Sequence, residues 1–146
     1  MNLTKAILGG VLAIGLVAPV AMSAEKDVTK PRVPAGEIAA AKAMKPAIDL
    51  SAAANIAKGK EIFNGKGGCF SCHGPEGKGD GIAAAGLDPS PRNFTNPQFK
   101  TLRTPGEMMW VLKNGSPNTA MIAVIPSQIN EEEGWQAIAF ERSLGK

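Results

Sequence analysis

Cys69 and Cys72 stand three positions apart, and His73 follows the second cysteine directly. These are the only two cysteines and the only histidine among 146 residues, so any cysteine or imidazole chemistry is confined to this one turn of chain. Cys-x-x-Cys-His is the attachment signature of c-type haem. Two thiols one turn apart reach the two vinyl groups of a single porphyrin and form thioethers, and the adjoining imidazole becomes the proximal iron ligand. Other uses of the pair fit less well. A disulfide closing so short a loop adds little stability. A redox dithiol of the thioredoxin kind belongs in a strand–helix–strand context, and no Val/Ile-rich strand precedes the motif. A zinc site takes about four ligands, more than this chain offers.

A covalent haem also answers a folding problem. Strand-forming runs are scarce, while 17 glycines and 11 prolines break the chain repeatedly. A few helices joined by long irregular loops bury little surface of their own, and an apolar porphyrin gives them something to fold around. The length fits one domain.

Residues 1–24 have the pattern of a secretory signal peptide: Lys5, then an uncharged, largely apolar run from Ile7 to Val20, then small residues suited to cleavage after Ser23 or Ala24. The apolar run is short for a membrane span, so no span is expected after cleavage. Export suits c-type haem, which is attached outside the bacterial inner membrane, and the expected location is periplasmic. Lys5 is the only charged residue in that segment of a chain with 16 basic and 13 acidic residues, so the small net charge hardly changes. No block of like charge suits nucleic acid.

Residues 25–50 are alanine-rich, charged and interrupted by Pro31, Pro34 and Pro46. This N-terminal extension or linker is expected to pack loosely, with a short helix across Glu37–Lys45. The haem domain is expected over 51–146. Ala52, Ile56, Gly59 and Phe63 form a helical stripe in which a glycine faces inward and admits a second helix. Asn130 to Leu144 makes the matching helix, with Ala137, Phe140 and Leu144 in one stripe and an Asn130/Glu133 capping pattern. Between them, Thr104–Gly115 has a Thr-x-x-Glu capping box with Pro105 in the first turn. Gly74 to Arg103 reads as loop, with a short helical turn near Ile82–Leu87. Its rigid stretch around Pro89 and Pro91 is expected to supply the carbonyl that holds the second nitrogen of His73, and Arg92 is a candidate partner for a haem propionate.

With one histidine, bis-histidine ligation from this chain is excluded. A methionine sulfur, a lysine amine or an open position remain for the sixth site. Met121 lies in the loop beyond the Thr104–Gly115 helix, free to turn inward, whereas Met108 and Met109 lie within that helix, Met44 in the extension, and Met1 and Met22 in the leader. Met121 is the expected ligand.

Taken in order, Gly59-x-x-x-Phe63, the haem motif, the proline-rich wall, the Trp110 helix ending in Asn114-Gly115, Met121 and the aromatic C-terminal helix resemble the class I (mitochondrial-type) cytochromes c over residues 52–146. Gly77–Gly81 and Pro91-Arg92-Asn93-Phe94 look like bacterial periplasmic mono-haem members. Two positions depart from the family pattern: Met121 is followed by Ile122 where many members have proline, and Phe140 stands where many have tyrosine. The resemblance implies an all-α cytochrome c fold with crossed N- and C-terminal helices around one haem c held by Cys69 and Cys72. It also implies iron ligation by His73 and Met121, and one-electron transfer rather than enzymatic turnover.

The expected function is therefore that of a monomeric carrier in a respiratory chain, of fairly high potential, exchanging electrons with redox partner proteins. Lys58, Lys60, Lys66, Lys78, Lys100 and Lys113 are candidates for steering an acidic partner. The alternatives are an electron-transfer subunit of a larger oxidoreductase, and a gas-binding or catalytic haem with an open sixth site.

Overall fold

A computed structural model describes residues 28–145. The signal-peptide pattern of residues 1–24 lies outside the described residues. Regular structure among those described is helical throughout: α1 (Ile38–Ala43), α2 (Ala53–Asn64), α3 (Phe70–His73), α4 (Pro97–Leu102), α5 (Pro105–Asn114) and α6 (Glu131–Leu144), with single 3-10 turns at Ala35–Glu37 and Ile82–Ala84. None of these helices is long and apolar enough to cross a membrane.

The most extensive helix–helix contact joins α2 to α6. Gly59 makes it, because a Cβ at that position would fall 1.8 Å from the Gln136 carbonyl oxygen and 3.0 Å from the Phe140 Cβ. The two backbones thus meet where any side chain would hold them apart. Phe63 and Phe140 close the crossing edge to face, 5.2 Å between ring centroids.

Both capping boxes form. The Thr104 hydroxyl accepts from the Glu107 amide at 3.2 Å and Glu107 accepts from the Thr104 amide at 2.8 Å; Asn130 and Glu133 do the same for α6 at 2.9 and 3.0 Å. These satisfy amides that would otherwise be orphaned at helix starts. Helix α4 was hidden in the stretch read as loop. Asn96 caps it by accepting from the Gln98 amide at 3.0 Å, and Pro97 takes its first turn.

The segment before the domain differs from expectation. Val28 is buried in the main core, and Val33 and Ala41 form a second buried cluster with Trp110. Helix α1 crosses α5 at Gly106, where a Cβ would lie 2.1 Å from the Ala41 carbonyl oxygen. The Trp110 indole N–H donates to Glu37 at 3.0 Å. Arg92 donates to the Lys30 carbonyl, and Arg103 donates to the carbonyls of Val28, at 3.0 Å, and Thr29. Residues 28–44 form a strap bound across α5 rather than a loose leader. Composition concealed this, because the strap is held through backbone carbonyls and a few small apolar side chains.

Candidate haem site

A cavity of about 380 Å³ opens between α3, α5, α6, the proline-rich loop and the loop after α5. Cys69, Cys72, His73 and Met121 all line it, so the four residues expected to bind the haem lie around one cavity. The two cysteines are free, with no disulfide between them. Burial and the nearby negative charge of Glu141 push the Cys69 thiol up to about 12, which keeps it as a neutral S–H.

His73 is fixed from two sides. Its Nδ1 lies 3.0 Å from the carbonyl oxygen of Arg92. A carbonyl only accepts, so Nδ1 carries the proton and Nε2 keeps its lone pair for a metal. The Phe94 ring stacks on the imidazole, 4.6 Å between centroids and 22° from parallel. Burial also holds His73 below its ordinary range, so the neutral, ligating form prevails at neutral pH.

The acceptor is the carbonyl of Arg92, not that of Pro89 or Pro91 as the sequence reading expected. The Pro91 carbonyl is instead turned toward Gly79, 2.7 Å from where a Cβ would sit. The prolines stiffen the wall, and the residue after them makes the contact. Arg92 itself is 7% exposed and lines the cavity.

Met121 is held by its backbone. Its carbonyl accepts from the Ser116 amide at 2.8 Å, and its amide donates to the Thr119 hydroxyl at 3.1 Å. The loop folds back on the end of α5 and sets the methionine on the cavity wall. Met108 lines the cavity too, but its sulfur lies 4.0 Å from the Arg142 guanidinium. Met109 is fully buried on another face of α5.

The donor set fits a haem. The walls are mainly apolar, with Leu87, Phe99, Leu112 and Val124 among them, as a porphyrin plane requires. Two buried polar atoms, Arg103 Nε and Ser116 Oγ, find no hydrogen-bond partner among the described residues, and both residues line the cavity. Buried donors of this kind normally have partners, and carboxylate groups on a bound porphyrin would supply them. Sequence reasoning missed Arg103, Ser116 and Glu141. Glu141 alone gave a signal, standing four residues after Ala137 on the apolar side of α6.

Helices closed around a cavity that presents two thiols and a neutral imidazole define a c-type haem protein. The cytochrome c family model matches residues 56–145, and the chain belongs to that family. It carries covalently bound haem c, with Cys69 and Cys72 the only cysteines available to hold it.

Among solved structures, the chain is similar to one of the Kuenenia stuttgartiensis reducing HAO-like protein complex Kustc0457/Kustc0458. The identity is 26% with a TM-score of 0.57, over 75% of this chain and 55% of that one. The chain thus spans little more than half of that relative. A second similar structure is the KustC0563 c-type cytochrome, at 18% identity and a TM-score of 0.48, over 60% of this chain and 98% of that one. No curated protein matches.

Proposed function

We propose that the protein is a periplasmic one-electron carrier with His73 and Met121 as its axial iron ligands. The observation that carries this reading is the common cavity. His73 presents a lone pair into it from α3, Met121 is pinned to its wall by backbone hydrogen bonds, and the rival Met108 sulfur is directed at Arg142. Bound haem supplies the one-electron Fe(III)/Fe(II) couple.

The chain sets the properties of that couple. His73 and Met121 would hold the iron in both oxidation states, so the chain would have little to rearrange on electron transfer. A thioether favours the reduced metal, and burial disfavours the extra ferric charge, so the potential is raised. Ile122 lines the cavity and is 65% exposed, and Phe70, beside Cys69, is also exposed. Electrons exchange there, at the apolar rim, with redox partners.

A lysine-guided encounter gains less support. Lys58, Lys66, Lys78 and Lys113 are paired with Glu61, Glu133, Glu76 and Glu131. The Lys100 amine donates to the Gly145 carbonyl at 3.3 Å. Of the six lysines only Lys60 is without such a partner among the described residues, so their combined field is largely balanced locally. Export rests on the pattern of residues 1–24.

The similarity to a chain of an HAO-like complex favours a second reading, in which the protein serves as the electron-transfer subunit of a larger oxidoreductase. Native size-exclusion chromatography separates the two: a monomer supports the carrier, and stable co-elution with another protein supports the subunit.

Carbon monoxide binding to the reduced protein, followed by visible spectroscopy, tests the ligation. No spectral change is expected. Rapid binding would remove Met121 from its role and make a gas-binding or catalytic haem the better reading.

A further inference from the structure

Glu141 projects from α6 into the wall of the haem cavity and is 5% exposed. Its carboxyl has no hydrogen-bond or ion-pair partner among the described residues, and burial alone acts on it, pushing it up to about 8. A buried ionised carboxylate without a partner is costly, and the group takes a proton unless a positive charge stands nearby. Glu141 also lies close enough to the haem-bearing Cys69 to act on its thiol electrostatically.

The surrounding charges do not offer a competing site of the same kind. Glu107, on α5, is held by Arg103 at 3.4 Å and by its own capping box. Three guanidinium groups, those of Arg32, Arg92 and Arg103, also line the cavity. On α6 itself, Arg142 donates to the Arg103 and Lys100 carbonyls, while Glu131, Glu132 and Glu133 stand in its first turn. From α2, Lys58, Lys60 and Glu61 are exposed, and beyond it Lys66 pairs with Glu133. Lys113 on α5 pairs with Glu131, and Lys100 on α4 reaches the Gly145 carbonyl. Cys69 ceases to titrate once it is a thioether. His73 Nδ1 is committed to the Arg92 carbonyl.

We propose that Glu141 is a redox-linked proton site: its carboxylate takes up one proton from solvent as the haem iron gains one electron, and gives the proton back on oxidation. The electron comes from the protein's one-electron donor and the proton from water. The carboxyl O–H is the only bond formed, and the total charge in the cavity is unchanged through the cycle. The inference rests on the haem changing oxidation state and is indifferent to which group occupies the sixth position.

The test is the midpoint potential of the haem-loaded protein from about pH 5 to about pH 10, for the native chain and Glu141→Gln. The native potential should fall with rising pH around neutrality and above, approaching one proton per electron. In Glu141→Gln that slope should vanish, leaving only what the haem propionates contribute. A slope unchanged in the variant would assign the proton to the propionates and overturn the proposal. Reduced-minus-oxidised infrared spectra of native protein labelled with 13C-glutamate give a second reading, valid even if the variant fails to fold. A labelled protonated-carboxyl band should appear on reduction; its absence, or a flat native potential, overturns the proposal. Carbon monoxide binding reports on Met121 separately, and a protein that binds it can still show the proton linkage.

Discussion

The ring of Phe94 lies 4.6 Å from the imidazole of His73 and within 22° of parallel to it. Two residues earlier, the Arg92 carbonyl accepts a hydrogen bond from the His73 Nδ1–H at 3.0 Å. One short piece of loop therefore fixes both the plane of the ligand ring and its rotation within that plane. Replacing Phe94 by alanine should cost about 3–5 kcal/mol in denaturant unfolding, the usual range for a large aromatic lost from a core. It should also change the electron paramagnetic resonance spectrum of the oxidised protein, which reports axial-ligand orientation. A destabilised variant with an unaltered spectrum would limit Phe94 to packing.

Gly59→Ala should destabilise the protein despite a gain of about 1 kcal/mol in helix propensity. The added methyl would meet the Gln136 carbonyl at 1.8 Å, and backbone cannot rotate aside as a side chain can. Overpacking costs about 1–3 kcal/mol where the structure can relax, and more is expected here. Thermal unfolding of the haem-loaded protein measures it, and an unchanged Tm would show that α2 and α6 slide apart freely.

The strap should be released in stages. Trp110→Phe keeps an aromatic ring but removes the N–H donated to Glu37 and part of the buried indole, at a cost of about 1 kcal/mol for the hydrogen bond plus that of the cavity left behind. Hydrogen exchange should then quicken across Ile38–Ala43 and leave α6 unaffected. Equal effects on both helices would mean that strap and domain unfold as one unit.

Met121→Ala should turn a protein inert to carbon monoxide into one that binds it stoichiometrically when reduced. Met108→Leu, similar in volume, should leave the reduced protein inert and cost less than about 1.5 kcal/mol. The opposite pattern would transfer the sixth position to α5.

Stability should also carry a mark of Glu141. An unfolded glutamate ionises near about 4.3, whereas burial pushes this one up to about 8 in the folded chain. Between those values the unfolded state holds fewer protons than the native state, so unfolding free energy falls as pH rises. The contribution is complete below the unfolded value and lost once pH passes the folded one. Denaturant titrations at constant salt should show this decline in the reduced native protein, the state in which Glu141 holds its proton, and a flatter profile in Glu141→Gln.

How far the sequence could be read depended on the kind of signal. Helices α2, α5 and α6 were legible because their caps and apolar stripes are local: Thr104 and Glu107, or Asn130 and Glu133, lie three residues apart and need nothing else. Gly59 could be read as a close approach because its stripe exposed it. The strap could not, since Arg92 and Arg103 grip the carbonyls of Lys30, Val28 and Thr29, and every residue offers a carbonyl. The same limit hid the partner of His73, where the residue type at position 92 is irrelevant to the contact. Glu141 went unread: a carboxylate four residues after Ala137 was its only local sign, and its burial depends on the whole fold around it.

The crossing at Gly59 and Gln136 bears on the order in which the molecule is assembled. Synthesis runs from the N-terminus, so Cys69 and Cys72 are made before the 14 residues of α6 that bring Ala137, Phe140 and Glu141 to the core. Until that helix arrives, α2 has nothing to cross and the thiols remain open to the haem. A helix made after the motif is the one that brings Glu141 up to Cys69 and completes the cavity wall.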